Sequence, residues 1–87
     1  MAYAHIVDNT ATQVEAGPVR TGIIQVNAAL TGTITVYDAI GSATLPIVAV
    51  ITNPAAGSKY EYKTLATGFK VTASTTCDIT AMTAPLP

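Results

Sequence analysis

Residues 33 to 37 read Thr33-Ile34-Thr35-Val36-Tyr37, a run in which polar and apolar side chains alternate. Successive side chains of a β-strand point to opposite faces of its sheet, so strict alternation predicts a strand with one buried face. Ile34 and Val36 are assigned to the buried face. Thr33, Thr35 and Tyr37 share the opposite face, which has the character of a contact surface more than of a solvated one.

Similar short runs recur along most of the chain, and a break that contains Gly, Pro or Asn separates most of them. They cover residues 23–27, 47–51, 60–63, 69–72 and 78–80. No apolar pattern with the helical period lasts for two turns, and several short strands at roughly 10-residue spacing are typical of a sandwich or small barrel. The sequence therefore predicts a small antiparallel all-β domain, built as one β-hairpin after another.

One run departs from the alternation. Ile47-Val48-Ala49-Val50-Ile51 is apolar on both faces. Such a run is typical of a strand that is covered twice. Two interpretations are open: a central strand of the domain, or a strand that a neighbouring subunit covers.

The first 20 residues differ from the rest. They contain two short β-like pieces, Tyr3–Val7 and Thr12–Glu15, followed by a break at Ala16-Gly17-Pro18. Pro18 cannot donate a ladder hydrogen bond, which argues against a central strand there. We therefore expect residues 1–20 to form an extended N-terminal arm, with the β domain at residues 21–87. An arm of this kind would lend a strand to a partner. A first hairpin packed in the core is the open alternative.

Composition favours assembly. A chain of 87 residues makes one domain with a thin core. Charged residues make up 10% of it, against roughly 25% in typical soluble domains. Cys77 and His5 are the single cysteine and histidine, so neither an intrachain disulfide nor an ordinary zinc site can compensate. The sequence predicts a homo-oligomer. A monomer with a threonine surface is the alternative.

Several classes of partner are not favoured. The net charge is −1, and four scattered cations supply no basic patch for nucleic acid. Residues 47–51 are far shorter than the roughly 18 apolar residues of a membrane-spanning helix. The first residues lack the features of a signal peptide, which together with a lone thiol suggests synthesis in a cytoplasm. We expect neither nucleic acid nor membrane as a partner.

The sequence contains no evident reactive constellation. An enzyme would require His5, Cys77 and a carboxylate to converge, whereas a lone cysteine is more commonly a buried structural thiol. Asp38 and Asp78 each lie at a strand edge, where carboxylates commonly accept hydrogen bonds from turn amides. We predict no catalytic residue, no metal site and no cofactor. A carbohydrate-binding module is an alternative that would need an exposed platform of tyrosines.

Four segments carry a resemblance to a known class of proteins. They are Gly32–Asp38, Pro46–Pro54, Thr67–Thr72 and Cys77–Met82. The succession of strand-like runs and turns over roughly residues 22 to 83 resembles that of small bacteriophage structural proteins. Several of those proteins are capsid decoration or cement proteins. The resemblance implies a non-enzymatic virion component on the capsid surface, with the major capsid protein as its partner. As a cement protein it is expected to self-associate, with a trimer favoured. A tail or head-fibre component is the alternative within this class. The resemblance identifies no site residues.

The candidate assembly interface combines two sets of side chains. The first set holds the apolar residues of the expected arm, and the second holds the outward face of the run at residues 33–37. Together they are Tyr3, Ile6, Val7, Val14, Thr33, Thr35 and Tyr37.

Overall fold

The computed structural model describes residues 3–43 and 46–84. They form eight β-strands, and no described residue lies in a helix. The bounds are β1 (Tyr3–Ile6), β2 (Thr12–Glu15), β3 (Val19–Val26), β4 (Thr33–Tyr37), β5 (Ile47–Thr52), β6 (Lys59–Leu65), β7 (Phe69–Ala73) and β8 (Ile79–Ala84). The predicted all-β class is confirmed. Within the described ranges, no helix that could cross a membrane is found.

The strands make two four-stranded sheets in which every pairing is antiparallel. The first sheet has the order β1-β8-β3-β6, and the second has the order β2-β7-β4-β5. Fully buried side chains from both sheets meet between them, and the largest are Ile24, Val26, Ile34, Val36, Phe69, Val71 and Ile79. The domain is therefore a β-sandwich. The alternation predicted for residues 33–37 is confirmed, because Ile34 and Val36 are buried while their three neighbours are half-exposed.

The expectation of one hairpin after another is wrong. Among the described strands only β4 and β5 are both consecutive and paired. Every other pair of consecutive strands lies in opposite sheets. The remaining pairings, such as β3 with β6 and β3 with β8, join strands that are distant in sequence. Alternation shows that a strand has one buried face, but it does not identify the strand beside it. Here successive strands mostly face each other across the core.

The expected N-terminal arm is not seen, and this prediction is corrected. β1 pairs with β8 from Tyr3 opposite Met82 to Ile6 opposite Ile79, and β2 pairs with β7. Ile6 and Val14 are 3% and 8% exposed, so both belong to the core. Residues 3–20 are thus part of the same two sheets as the rest of the domain.

The alternative of a first hairpin is also wrong, since β1 and β2 belong to different sheets. The turn after β1 explains the change of sheet. Asp8 accepts a hydrogen bond from the backbone N–H of Thr10 at 3.0 Å, which is the geometry of an Asx-turn. This turn carries the chain across the end of the sandwich.

β5 is an edge strand, because it pairs with β4 alone. The interpretation of residues 47–51 as a central strand is therefore wrong. Ile51 points into the core and is 7% exposed, but Ile47 and Val50 are 50% and 55% exposed. Among the described residues, none pairs with the outer edge of this strand.

Candidate assembly surface

The four edge strands differ in how well they are protected against pairing with another chain. Natural sheets protect their edges with short strands, charged side chains and bulges. β1 and β2 are four residues long, and the pairing of β2 is irregular between Gln13 and Glu15. β6 carries Lys59, Glu61 and Lys63.

β5 lacks most of this protection. It is six residues long and holds no charged residue. Its pairing with β4 is irregular only at its start, opposite Tyr37, and Ala49–Thr52 follow in regular register. The strand is therefore the edge best suited to receive another strand.

The register with β4 places two apolar side chains of β5 on the outer face of the second sheet. Val50 lies opposite Thr35, and Ile47 lies opposite Tyr37. Directly opposed residues of an antiparallel pair share a face, so both side chains point away from the core. Val48 is the additional residue at the irregularity and is 38% exposed.

These three side chains are the exposed apolar residues of β5, and we define the β5 patch as Ile47, Val48 and Val50. The described residues contain six exposed large apolar side chains, and the other three are Ile40, Tyr3 and Val7. Exposed apolar side chains that gather on one surface mark a contact site more often than scattered ones do.

The loop between β4 and β5 is attached to the outer face of the second sheet by Gln13. The Gln13 side-chain amide donates to the carbonyl oxygens of Ala39 at 2.9 Å and Glu15 at 2.8 Å. Its Oε1 accepts a hydrogen bond from the backbone N–H of Gly41 at 3.0 Å. Ile40, between these two anchored residues, is thereby held at the surface.

Lys70 makes a second attachment for the same loop. Its Nζ donates to the carbonyl oxygens of Gly41 at 2.8 Å and Ala43 at 2.9 Å, and it lies 5.7 Å from the centre of the Tyr37 ring. The residue is 6% exposed although it lies on the outer face. The alternation at residues 69–73 correctly predicts that the Lys70 side chain points to the outer face. Its burial comes from a loop that is distant in sequence.

Asp38 connects the start of this loop to the turn between β6 and β7. Its carboxylate accepts hydrogen bonds from the backbone N–H groups of Thr67 at 2.7 Å, Ala66 at 3.0 Å and Gly68 at 3.1 Å. Burial alone would raise the pKa of Asp38, but these three donors outweigh it and lower the pKa below its ordinary value. The predicted role of Asp38 as an acceptor for turn amides is confirmed.

The structure separates the residues of the candidate interface into three groups. Tyr3 and Val7 are 67% and 48% exposed at β1. Ile6 and Val14 are core residues and are not accessible to a partner while the domain is folded. The half-exposed side chains of the outer face lie beside the β5 patch; they are Thr33, Thr35 and Tyr37.

Sequence reasoning missed Ile40, Val48 and Val50 as surface residues. The signal for the last two was the doubly apolar run at residues 47–51, which was open to two interpretations. Ile40 had no signal of its own, because its exposure depends on where Gln13 and Lys70 hold the loop.

The four tyrosines do not form an exposed row. Tyr3 is exposed, whereas Tyr37, Tyr60 and Tyr62 are half-buried. Tyr60 and Tyr62 pack against the core, as their alternation with charged residues predicts. Burial, followed by the proximity of Tyr60, raises the pKa of Tyr62.

His5 and Asp78 are neighbours in space. Nε2 of His5 lies 2.6 Å from Oδ1 of Asp78, and the Asn27 side-chain amide donates to the same oxygen at 3.1 Å. The hydrogen bond with His5, followed by that from Asn27, lowers the pKa of Asp78. Both side chains are about half exposed, and exposed polar pairs of this kind stabilise a fold only slightly.

Cys77 lies next to this pair in sequence, but its thiol has other partners. It donates to the carbonyl oxygens of Ile6 at 3.5 Å and Asp8 at 3.6 Å. Burial, followed by the carboxylates of Asp8 and Asp78, raises the pKa of the Cys77 thiol. This environment opposes formation of the thiolate, which is the reactive form of cysteine.

The part of the chain that the structure describes contains no group of three or more His, Cys, Asp or Glu side chains placed to hold a metal ion. Comparison of the chain with models of protein families, with curated proteins and with solved structures finds no match. The surface described above therefore has to be interpreted from its own geometry and chemistry.

Proposed function

We propose that this chain is a structural protein of a bacteriophage virion, a cement protein that self-associates and attaches to the capsid surface. The observation that carries the proposal is the unprotected apolar edge formed by β5 and the β5 patch. The resemblance of the sequence to small phage structural proteins supplies the biological setting. In this proposal the protein has no enzymatic role, and its partners are its own copies and the major capsid protein.

The proposed mechanism is bridging between neighbouring capsid subunits. A protein that binds the assembled shell, and not its dissociated subunits, stabilises the shell by mass action. Self-association increases this effect, because an oligomer can engage several capsid subunits at once. The resemblance to cement proteins favours a trimer. The protein would be made in the host cytoplasm and would act on the capsid surface, without contact to nucleic acid or membrane.

Two alternatives stay open as outcomes of experiment. A tail or head-fibre component would use the same apolar edge for a different assembly. A carbohydrate-binding module would need an exposed tyrosine platform, and of the four tyrosines only Tyr3 is largely exposed. No specific observation favours either alternative over the capsid proposal.

Two measurements test the proposal. Sedimentation velocity of the pure protein at micromolar and higher concentrations should show a concentration-dependent oligomer, and a monomer throughout would remove the argument from the β5 edge. Electron cryo-microscopy of virions that contain the protein should place its density on the head. Density on the tail would favour the fibre alternative, and absence from the particle would contradict both.

A further inference from the structure

The free edge of β5 has a sequence that reads the same in both directions. Residues 47 to 51 are Ile47-Val48-Ala49-Val50-Ile51, with Ala49 at the centre. We infer that β5 pairs antiparallel with β5 of a second copy, about a two-fold axis beside Ala49. The inference rests on the self-association proposed above, and it specifies the strand and the register that join the copies.

The side chains nearest the axis suit such a pairing, whereas Ile47 and Ile51, at its ends, point to opposite faces of the sheet. A two-fold interface uses the same surface on both subunits, so position 48 of one copy meets position 50 of the other. Val48 and Val50 are 38% and 55% exposed, and each would gain an apolar neighbour across the axis. The pairing would also satisfy the backbone groups on the free side of β5.

Charge favours a second copy over a charged partner. Residues 46–53 contain no Asp, Glu, Lys or Arg, so no like charges meet when the strand lies beside itself. The outer face next to it contributes the uncharged side chains of Thr35 and Tyr37. The charge of Lys70, on the same face, is covered by the carbonyl oxygens of Gly41 and Ala43.

β6 shows why charge decides between the edges. Its sequence Lys59-Tyr60-Glu61-Tyr62-Lys63 is also the same in both directions, and β6 is also an edge strand. The corresponding self-pairing would bring Glu61 against Glu61 and Lys59 against Lys63. Like charges directly opposite each other destabilise a strand pair. Of these two symmetric edges, only β5 can therefore pair with itself without repulsion.

We call this contact between the two copies of β5 the β5 seam. A two-fold contact of this type is complete with two copies. The expected unit is then a dimer, whereas a trimer would need a contact between two different surfaces. The two arrangements can be distinguished directly, because only the two-fold seam brings residue 49 of one copy next to residue 49 of the other.

Disulfide trapping tests the register. Ala49→Cys in a Cys77→Ser background should give a covalent dimer on mild oxidation. The matched control is Thr52→Cys in the same background, since the two copies of position 52 would lie roughly 20 Å apart across the axis. Efficient trapping at position 49 but not at position 52 is the expected result. Equal trapping at both positions, or none at position 49, would overturn the inference.

A charge placed in the seam gives a second test. Val50→Lys should weaken the dimer about tenfold or more in sedimentation experiments, because it puts a lysine beside the axis in both copies. Val7→Lys is the matched control: Val7 has a similar exposure of 48% but lies outside β5. Thermal unfolding should show that both variants are folded, as both sites are exposed.

The outcomes separate this inference from the proposed function. An oligomer that persists in the Val50→Lys variant and is not trapped at position 49 would overturn the β5 seam while leaving self-association intact. A protein that is monomeric at all concentrations would contradict both. A dimer that is lost with Val50→Lys, retained with Val7→Lys and trapped at position 49 would support both.

Discussion

The ring of Phe69 occupies the space that a side chain on Gly22 would need. A Cβ atom on Gly22 would lie 3.1 Å from both Cδ2 and Cε2 of the ring, and 3.2 Å from Cδ1 of Leu65. Gly22 belongs to β3 of the first sheet and Phe69 begins β7 of the second. Their contact therefore sets how closely the two sheets approach at this point.

Gly22→Ala should lower the free energy of unfolding by roughly 1–3 kcal/mol, because the added methyl group overpacks a fully buried site. Chemical denaturation measures the change. Gly17→Ala is the control, since nothing lies within 4 Å of a Cβ atom there. Equal stability of the two variants would show that the Phe69 ring can move aside and does not set the spacing.

Removal of the N-terminal strands should unfold the domain. Deletion of residues 1–16 takes away β1 and β2, which cover β8 and β7 at the sheet edges. We expect the truncated chain to lose cooperative unfolding in circular dichroism. At the level of single residues, Ile6→Ala should cost roughly 2–5 kcal/mol, because Ile6 is 3% exposed. Val7→Ala, at an exposed site, should be nearly neutral. A stable truncated domain would restore the interpretation of this segment as an arm.

Asp38 should make stability depend on acid pH. Its folded-state pKa lies below the ordinary value of 3.8, so the unfolded chain binds the proton more readily. The contribution is then fully present above the unfolded pKa and is lost as the pH falls through the folded pKa. Asp38→Ala should lower stability at neutral pH by about 1 kcal/mol, the low end for a carboxylate that accepts amide hydrogen bonds near solvent.

The same variant should also show a weaker loss of stability below pH 3.8 than the unmodified protein. Denaturation midpoints measured across the acid range test this. Glu61→Gln is the control, since Glu61 is an exposed carboxylate that makes a loose ion pair of 3.6 Å with Lys59. An unchanged acid profile in Asp38→Ala would mean that other carboxylates, Asp78 among them, dominate the pH dependence.

Lys70→Met should release the loop between β4 and β5. Met retains much of the packing volume but cannot donate to the carbonyl oxygens of Gly41 and Ala43. We expect a loss of roughly 1.5–3 kcal/mol, the range for hydrogen bonds from a charged group. Hydrogen exchange of the Gly41 amide should become faster. Lys63→Met, at an exposed position on β6, should change neither quantity, and similar effects in both variants would contradict the proposed role of Lys70.

Thr64 adopts a backbone conformation that suits other residues better. Its φ is +61°, in the left-handed region where β-branched side chains are strained. Thr64→Asn should raise stability by about 1 kcal/mol, since Asn tolerates this region. Thr72→Asn, in the regular part of β7, should lower stability instead. A destabilised Thr64→Asn variant would indicate that the Thr64 side chain makes a compensating contribution.

Local sequence determined the strands and their faces. The bounds of β4 agree with the predicted run at residues 33–37, and the buried positions of β7 and β8 follow from alternation at Phe69, Val71 and Ile79. These features depend on side chains two residues apart in the same strand, so the alternation of polar and apolar residues is enough to predict them.

Only the tertiary structure decided which strands are neighbours and which edges stay free. β1 and β2 look like a detachable arm because each supplies a single core side chain, yet they join opposite sheets through β8 and β7. Lys70 is buried by a loop about 28 residues earlier in the chain. The Ile47–Ile51 run became an exposed edge because β4 is the one described strand beside β5 in its sheet. Pairing between distant strands is set by the packing of the whole core, and no short stretch of sequence contains that information.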